Sequence, residues 1–202
     1  MKIGEIAHRT RMAEIEAWYE HHSKIFSFIA SIFNAGGSPW AFTGSVAVLF
    51  WSRQFLHQGV LPLIPNDIDL MTNNINISIA LCHAIGINLN SIRPPSPRTN
   101  YVHLEKSREI PFEIDLLANN SRFGYFHFSQ QIDNFPVVSL SDLRSQYIRL
   151  LKDEFVETPK YLRIKSHFQT IEMILKISPE LVQTSPHLTG LFLENEIPIF
   201  SL

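Results

Sequence analysis

The sequence has a single cysteine, no excess of positive charge and no long apolar run, and each shortage excludes a class of protein. Cys82 is alone among 202 residues, so no disulfide forms within the chain and a reducing compartment is expected. Seventeen basic against nineteen acidic residues give a net charge of −2, which lacks the overall basic footprint of nucleic-acid-binding proteins. The apolar run from Val46 to Trp51 is too short to cross a bilayer, so we expect a cytoplasmic protein with no membrane partner.

Apolar residues are plentiful and are patterned for an α/β fold. They make up 45% of the chain, which is enough for a sizeable core. Apolar spacing of three and four predicts a helix over residues 11–34, while alternation predicts strands near Trp40 to Thr43 and near Ile110 to Leu117. Helical spacing returns beyond Ser139. We therefore predict a core over residues 1–138, with a small mixed, twisted sheet and flanking helices, followed by a helical bundle over residues 139–202.

An acid-x-acid pair, Asp67 and Asp69, stands in the stretch NDIDLMT. In an extended segment alternate side chains share a face, so the two carboxylates point the same way while Ile68 and Leu70 point into the layer behind. Like charges this close are costly unless a cation lies between them, and oxygen ligands suit a divalent cation. The stretch indicates a metal site, although taken alone such a pair is also typical of a solvated strand face.

A second pattern lies upstream, where Thr43, Gly44 and Ser45 separate a short apolar strand from a helix. The N–H groups at a helix start bind phosphate, and glycine permits its close approach. A phosphate cradle near a carboxylate pair suggests a metal-bound nucleotide.

A third carboxylate lies on a later strand. In the segment FEIDLL, Phe112, Ile114 and Leu116 share one face, and Glu113 and Asp115 share the other. His103 is on the preceding predicted strand and could face the same cleft, although a core or edge histidine is the alternative.

These motifs, in this order, resemble those of the polymerase-beta-type nucleotidyltransferase superfamily. The NDIDLM wording is most similar to the minimal and abortive-infection-toxin-like bacterial members. The resemblance implies that Asp67, Asp69 and Asp115 hold two Mg²⁺ ions, with Mn²⁺ as a possible substitute, and that Asp115 helps deprotonate the acceptor hydroxyl. It also implies that Gly44 and Ser45 hold the β and γ phosphates of a nucleoside triphosphate.

Basic residues outnumber acids in the first part of the helical region. A mixed solvated helix surface explains such a run. The functional interpretation is that some of the basic residues, Lys152 and Lys165 foremost, close over the triphosphate or over an RNA acceptor.

The function expected from the resemblance is a metal-dependent nucleotidyltransferase that moves a nucleoside monophosphate to a hydroxyl of tRNA or other RNA, a protein or a small molecule. One alternative is a non-catalytic nucleotide-binding protein or toxin–antitoxin partner with the same fold, for which an antitoxin would be the partner. Another is a phosphate-ester hydrolase that uses the same carboxylates.

Overall fold

The computed structural model describes residues 3–74, 76, 79–80, 101–106, 110–118, 130–156 and 158–182. Cys82 lies outside these residues. None of the helices within them has a stretch that is long and apolar enough to span a membrane.

The described residues form a mixed sheet with helices packed against it. The helices are α1 (Ile3–Ala35), α2 (Gly44–Arg53), α3 (Leu140–Asp153) and α4 (Pro159–Ile177), with short 3-10 turns at Leu56–Gln58 and Pro179–Val182. The strands are β1 (Trp40–Thr43), β2 (Asp67–Thr72), β3 (Tyr101–Leu104), β4 (Glu113–Ala118), β5 (Gln130–Ile132) and β6 (Phe135–Val137). They are ordered β3-β4-β2-β1-β6-β5. Strand β2 is parallel to β4 and β1 is parallel to β6, whereas the other pairs are antiparallel. The predicted fold class is confirmed.

One face of the sheet forms the core. A row of paired residues crosses four strands on this face, and all of its members are fully buried: Phe42, Leu70, Leu116 and Val102. The ring centroid of Phe42 lies 5.6 Å from that of Phe26 on α1 and 5.4 Å from that of Phe50 on α2. Because side chains alternate along a strand, the residues next to this row face the opposite side of the sheet.

The first residues of one helix and of one strand differ from the predicted ones. Helix α1 begins at Ile3 rather than near residue 11, and residues 5–10, which precede the predicted start, are mostly exposed. Strand β4 begins at Glu113 rather than Ile110. The apolar pattern marks burial, and it therefore extends across the loop before β4, where Ile110 and Phe112 are buried without being in the strand.

The helical region packs directly on the core. The hydroxyl of Ser139 caps α3 by accepting a hydrogen bond from the Asp142 N–H, whereas the sequence allowed either Ser139 or Ser141 as the cap. The Trp51 indole of α2 donates to the Val138 carbonyl at 2.9 Å, and the buried Thr43 hydroxyl donates to Gln146 Oε1 of α3 at 2.8 Å. Helix α3 is thereby fixed beside the C-terminal end of β1, where the glycine-serine turn begins.

Candidate active site

The polar face of the sheet carries a second row of paired residues, one step along from the buried row. Thr43 of β1 pairs with Asp69 of β2, Asp69 pairs with Asp115 of β4, and Asp115 pairs with His103 of β3. Asp67 is on the same face of β2, two residues before Asp69. The structure therefore places the three predicted carboxylates on one surface, although Asp115 is far from the others in sequence.

The glycine-serine turn holds the Asp69 carboxylate against the start of α2. Gly44 has φ +56°, and a Cβ atom on it would lie 1.8 Å from Asp69 Oδ2, so only glycine fits. The backbone N–H of Ser45 donates a hydrogen bond to Asp69. The Ser45 hydroxyl donates to Asp67 Oδ1 at 3.3 Å. Gly44, Ser45, Asp67 and Asp69 thus form one site, with the carboxylates at the helix N-terminus where a phosphate was predicted.

Burial, together with repulsion between the carboxylates, governs the electrostatics of the site. The pKa of Asp69 is raised well above its usual value by burial and then by the charges of Asp67 and Asp115. The Ser45 N–H and the positive charge of Arg163 oppose this shift only in part. Three carboxylates gathered on one face favour the binding of a cation, which would offset their repulsion.

The donor chemistry fits Mg²⁺ or Mn²⁺, because both ions prefer carboxylate oxygen ligands. In the described part of the chain, no three acidic, histidine or cysteine side chains are already gathered at ligand spacing. Asp67 and Asp69 are instead engaged by the start of α2, and Asp115 by His103. Cation binding would therefore require these side chains to rearrange on a backbone that already aligns them.

The side chain of Asp115 lies beside that of a histidine. His103 Nδ1 lies 2.7 Å from Asp115 Oδ1, and each of these side chains is 19% exposed. The histidine therefore lies beside Asp115 on the polar face, and its strand β3 is at one edge of the sheet that the described residues form.

The helical region contributes three further polar groups, which sequence patterns did not identify as a set. Burial, followed by the charges of Asp69 and Asp67, raises the pKa of Tyr147 well above its usual value, whereas the charge of Arg163 lowers it. The guanidinium of Arg163 also donates to the Ile64 carbonyl at 2.9 Å, in the segment that leads into β2. The ring of His167 lies 5.7 Å from that of Tyr147. The only sequence signal is that Arg163 and His167 are four residues apart, which places them on one face of a helix.

Lys152 and Lys165, the two basic residues singled out from the sequence, are both exposed. Lys165 is two residues from Arg163, so the two side chains leave α4 about 200° apart. Their predicted contact with a triphosphate stays a prediction, while Arg163 is the basic residue of the helical region whose charge acts on Asp69.

No protein-family model and no curated protein matches the chain. Solved structures do. The polyadenylate synthase of Megavirus matches with a TM-score of 0.56 and 12% identity over 86% of this chain. The chain spans 36% of the length of that protein. The antibiotic-resistance factor ANT(2'')-Ia gives a lower TM-score of 0.45 at 13% identity, over 90% of this chain and 89% of its own. The first likeness establishes the fold as one that a polyadenylate synthase also has.

We predict that Gly44→Ala destabilises the protein more than Gly59→Ala. Both glycines have positive φ, at +56° and +91°, so alanine is strained at either, by about 1–2 kcal/mol. Only at Gly44 does the added Cβ meet Asp69, because nothing lies within 4 Å of a Cβ at Gly59. Urea unfolding of both variants measures the difference. Combining Gly44→Ala with Asp69→Ala should remove most of the extra loss, and an undiminished loss in the double variant would contradict the contact.

We also predict that His167 makes the protein less stable as the pH falls from 6.5 to about 4. Burial first, and the charge of Arg163 second, lower the pKa of His167 from 6.5 to about 4. Across this window the unfolded chain binds a proton that the native state excludes, so stability falls with decreasing pH by up to about 1.4 kcal/mol per pH unit. Neither ring nitrogen has a hydrogen-bond partner among the described residues.

The measurement is the free energy of unfolding against pH for wild type, for His167→Phe and for a control, His57→Phe, at an exposed site. The first variant should lose this part of the slope and the control should keep it. Parallel curves for wild type and His167→Phe would show that the buried ring does not titrate differently on folding.

Proposed function

We propose that the chain is a metal-dependent nucleotidyltransferase that moves a nucleoside monophosphate from a nucleoside triphosphate to a hydroxyl acceptor. The observation that carries the proposal is the alignment of Asp69 and Asp115 on adjacent strands, with Asp67 on the same face and with Asp67 and Asp69 beside the glycine-serine start of α2. The fold shared with a polyadenylate synthase supports it. The closer likeness to minimal and toxin-like members remains part of the proposal.

The start of α2 is the proposed triphosphate site. The Ser45 N–H now donates to the Asp69 carboxylate, and its hydroxyl donates to Asp67. Both donors suit a phosphate oxygen once the carboxylates turn to another partner. The Asp69 side chain fills the space that a Cβ on Gly44 would need, so this space would open to a phosphate only if that carboxylate turned away.

Asp115 is the proposed proton acceptor. The acceptor hydroxyl loses its proton to Asp115, its oxygen forms a bond to the α-phosphorus, and the bond from this phosphorus to the β-phosphate oxygen breaks to release pyrophosphate. Asp67, Asp69 and Asp115 would hold Mg²⁺ or Mn²⁺, which supplies stabilisation of the charge that develops on the phosphoryl oxygens. The chain itself aligns the reacting groups on a rigid sheet and supplies hydrogen-bond donors at the helix start.

Arg163 is added to Lys152 and Lys165 as a proposed nucleotide contact. Its charge acts on both Asp69 and Tyr147, and its hydrogen bond to the Ile64 carbonyl holds it at the side of the site. A fixed guanidinium is well suited to phosphate oxygens, since its planar fork is already oriented.

The proposed acceptor is the hydroxyl of an RNA or tRNA end, of a protein or of a small molecule. A net charge of −2 disfavours processive synthesis on a long nucleic acid, which requires a broad basic surface. An antitoxin partner and a cytoplasmic location are part of the same proposal, because they follow from the toxin-like resemblance and from the cysteine count.

We predict that Asp67→Asn, Asp69→Asn and Asp115→Asn each lower transfer by on the order of 100-fold or more. Each variant removes a carboxylate that would hold the metal ion or, at Asp115, accept the proton of the acceptor hydroxyl, and a 100-fold loss corresponds to about 2.7 kcal/mol of transition-state stabilisation. The measurement is transfer of label from each α-labelled nucleoside triphosphate, with Mg²⁺ or Mn²⁺, to separated pools of RNA, protein and metabolites.

The matched control is Glu113→Gln, on the same strand and the same face two residues before Asp115, where the side chain is exposed. It should keep activity within a few fold. Full activity in any of the three Asp variants would contradict the mechanism. Nucleotide binding without a labelled product in wild type would favour a non-catalytic nucleotide-binding protein, and label released without an acceptor would favour a hydrolase.

We predict further that Arg163→Met raises the KM for the nucleoside triphosphate about tenfold, the effect of losing about 1.4 kcal/mol from a charge-assisted hydrogen bond. Lys165→Met tests whether the nucleotide instead contacts the exposed side of the same helix. Lys152→Met tests whether it contacts the C-terminal end of α3. Steady-state kinetics of the three variants rank the three residues. A larger rise in KM for Lys165→Met than for Arg163→Met would overturn the assignment of Arg163.

A further inference from the structure

His103 is the last member of the polar row that crosses the sheet. It lies on β3, opposite Asp115 in antiparallel register, and its Nδ1 is 2.7 Å from Asp115 Oδ1. Its position is therefore set by backbone pairing as well as by its side chain. The proposed reaction gives it no role.

We propose that His103 is a positioning residue for Asp115, donating its Nδ1–H to Oδ1 and so fixing the plane of the carboxylate that faces Asp69. The proposal rests on the proposed function, because it gives Asp115 its role in proton transfer. An ionised carboxylate only accepts hydrogen bonds, so the proton of this bond belongs to the imidazole.

The carboxylate needs such a restraint because its surroundings repel it. Asp115 faces Asp69 across two parallel strands, and its charge raises the pKa of Asp69. The terminal torsion of aspartate is broad and soft, so repulsion alone would let Asp115 rotate away from the other acids. A donor on the far side of Asp115 opposes that rotation, since it attracts one oxygen toward β3 and sets the direction of the other.

Partial burial strengthens the restraint. Both side chains are 19% exposed, so water competes less for the hydrogen bond than it would at an open surface. Partners that orient a catalytic or metal-binding group from behind typically change activity or metal affinity by 10–100-fold when removed.

The test compares two variants of nearly identical shape, His103→Asn and His103→Leu. The asparagine amide nitrogen is bonded to Cγ, as is Nδ1 of histidine, so it can donate to Asp115, whereas leucine cannot. We expect His103→Leu to lower kcat by 10–100-fold with the KM for the nucleotide within about twofold of wild type. His103→Asn should keep kcat within about threefold of wild type.

The melting temperature of each variant identifies a merely structural role, which would lower kcat in both variants in proportion to lost stability. Equal kcat for the asparagine and leucine variants, whether both low or both normal, overturns the proposal. In an Asp115→Asn background, His103→Leu should have little further effect, and a second loss of similar size would also overturn it.

A spectroscopic measurement separates this proposal from the proposed function. The ¹H–¹⁵N correlation of the imidazole, at about pH 8, reports which ring nitrogen of His103 carries the proton. Wild type should show protonated Nδ1, and Asp115→Leu, which lacks the acceptor, should lose that preference. If wild type transfers no nucleotide while this signature is present, the transferase function fails and the hydrogen bond stands. If transfer depends on Asp115 but Nδ1 is unprotonated in wild type, the positioning role of His103 fails alone.

Discussion

The repulsion between neighbouring carboxylates is the constraint on which the site depends. Asp69 is two residues from Asp67 along its own strand and pairs with Asp115 across the sheet, and its pKa is raised first by burial and then by these two charges. The surrounding elements supply the compensation: the helix start gives the Ser45 N–H, α4 gives Arg163 and β3 gives His103. Each of these donors suits an anionic partner, so the groups that contact the carboxylates are also suited to the phosphates of a nucleotide.

The polar site and the apolar core lie on opposite faces of one sheet. Along β2, Ile68 and Leu70 are buried while Asp67 and Asp69 face the other side. A slip of one residue in the register of this strand would bury the acids and expose the apolar row, which is costly in both directions. The apolar row thus fixes the register of the polar row, so packing of the core determines how the carboxylates are aligned.

The helical region is part of the site rather than an addition to it. Gln146 accepts a hydrogen bond from Thr43 at the end of β1, and the charges of Asp67 and Asp69 reach Tyr147 of α3. Arg163 connects α4 to the loop before β2. A movement of this region would therefore change both the electrostatic potential at the acids and the position of the strand that carries them.

The sequence by itself determined the local patterns. The strand of Trp40 to Thr43, the opposite faces of Asp115 and Ile114, and a serine cap at the start of α3 follow from alternation and side-chain chemistry over a few residues. Only the tertiary structure decided which residues from different segments contact one another. The pairing of Asp115 with Asp69 and with His103 depends on strand order, and the contact of Asp69 with Gly44 depends on a distance between chain segments. The charge of Arg163 acts on Asp69 while Lys165 is exposed, because packing fixes how α4 is rotated about its axis. A count of basic residues in the sequence gives no information about that rotation.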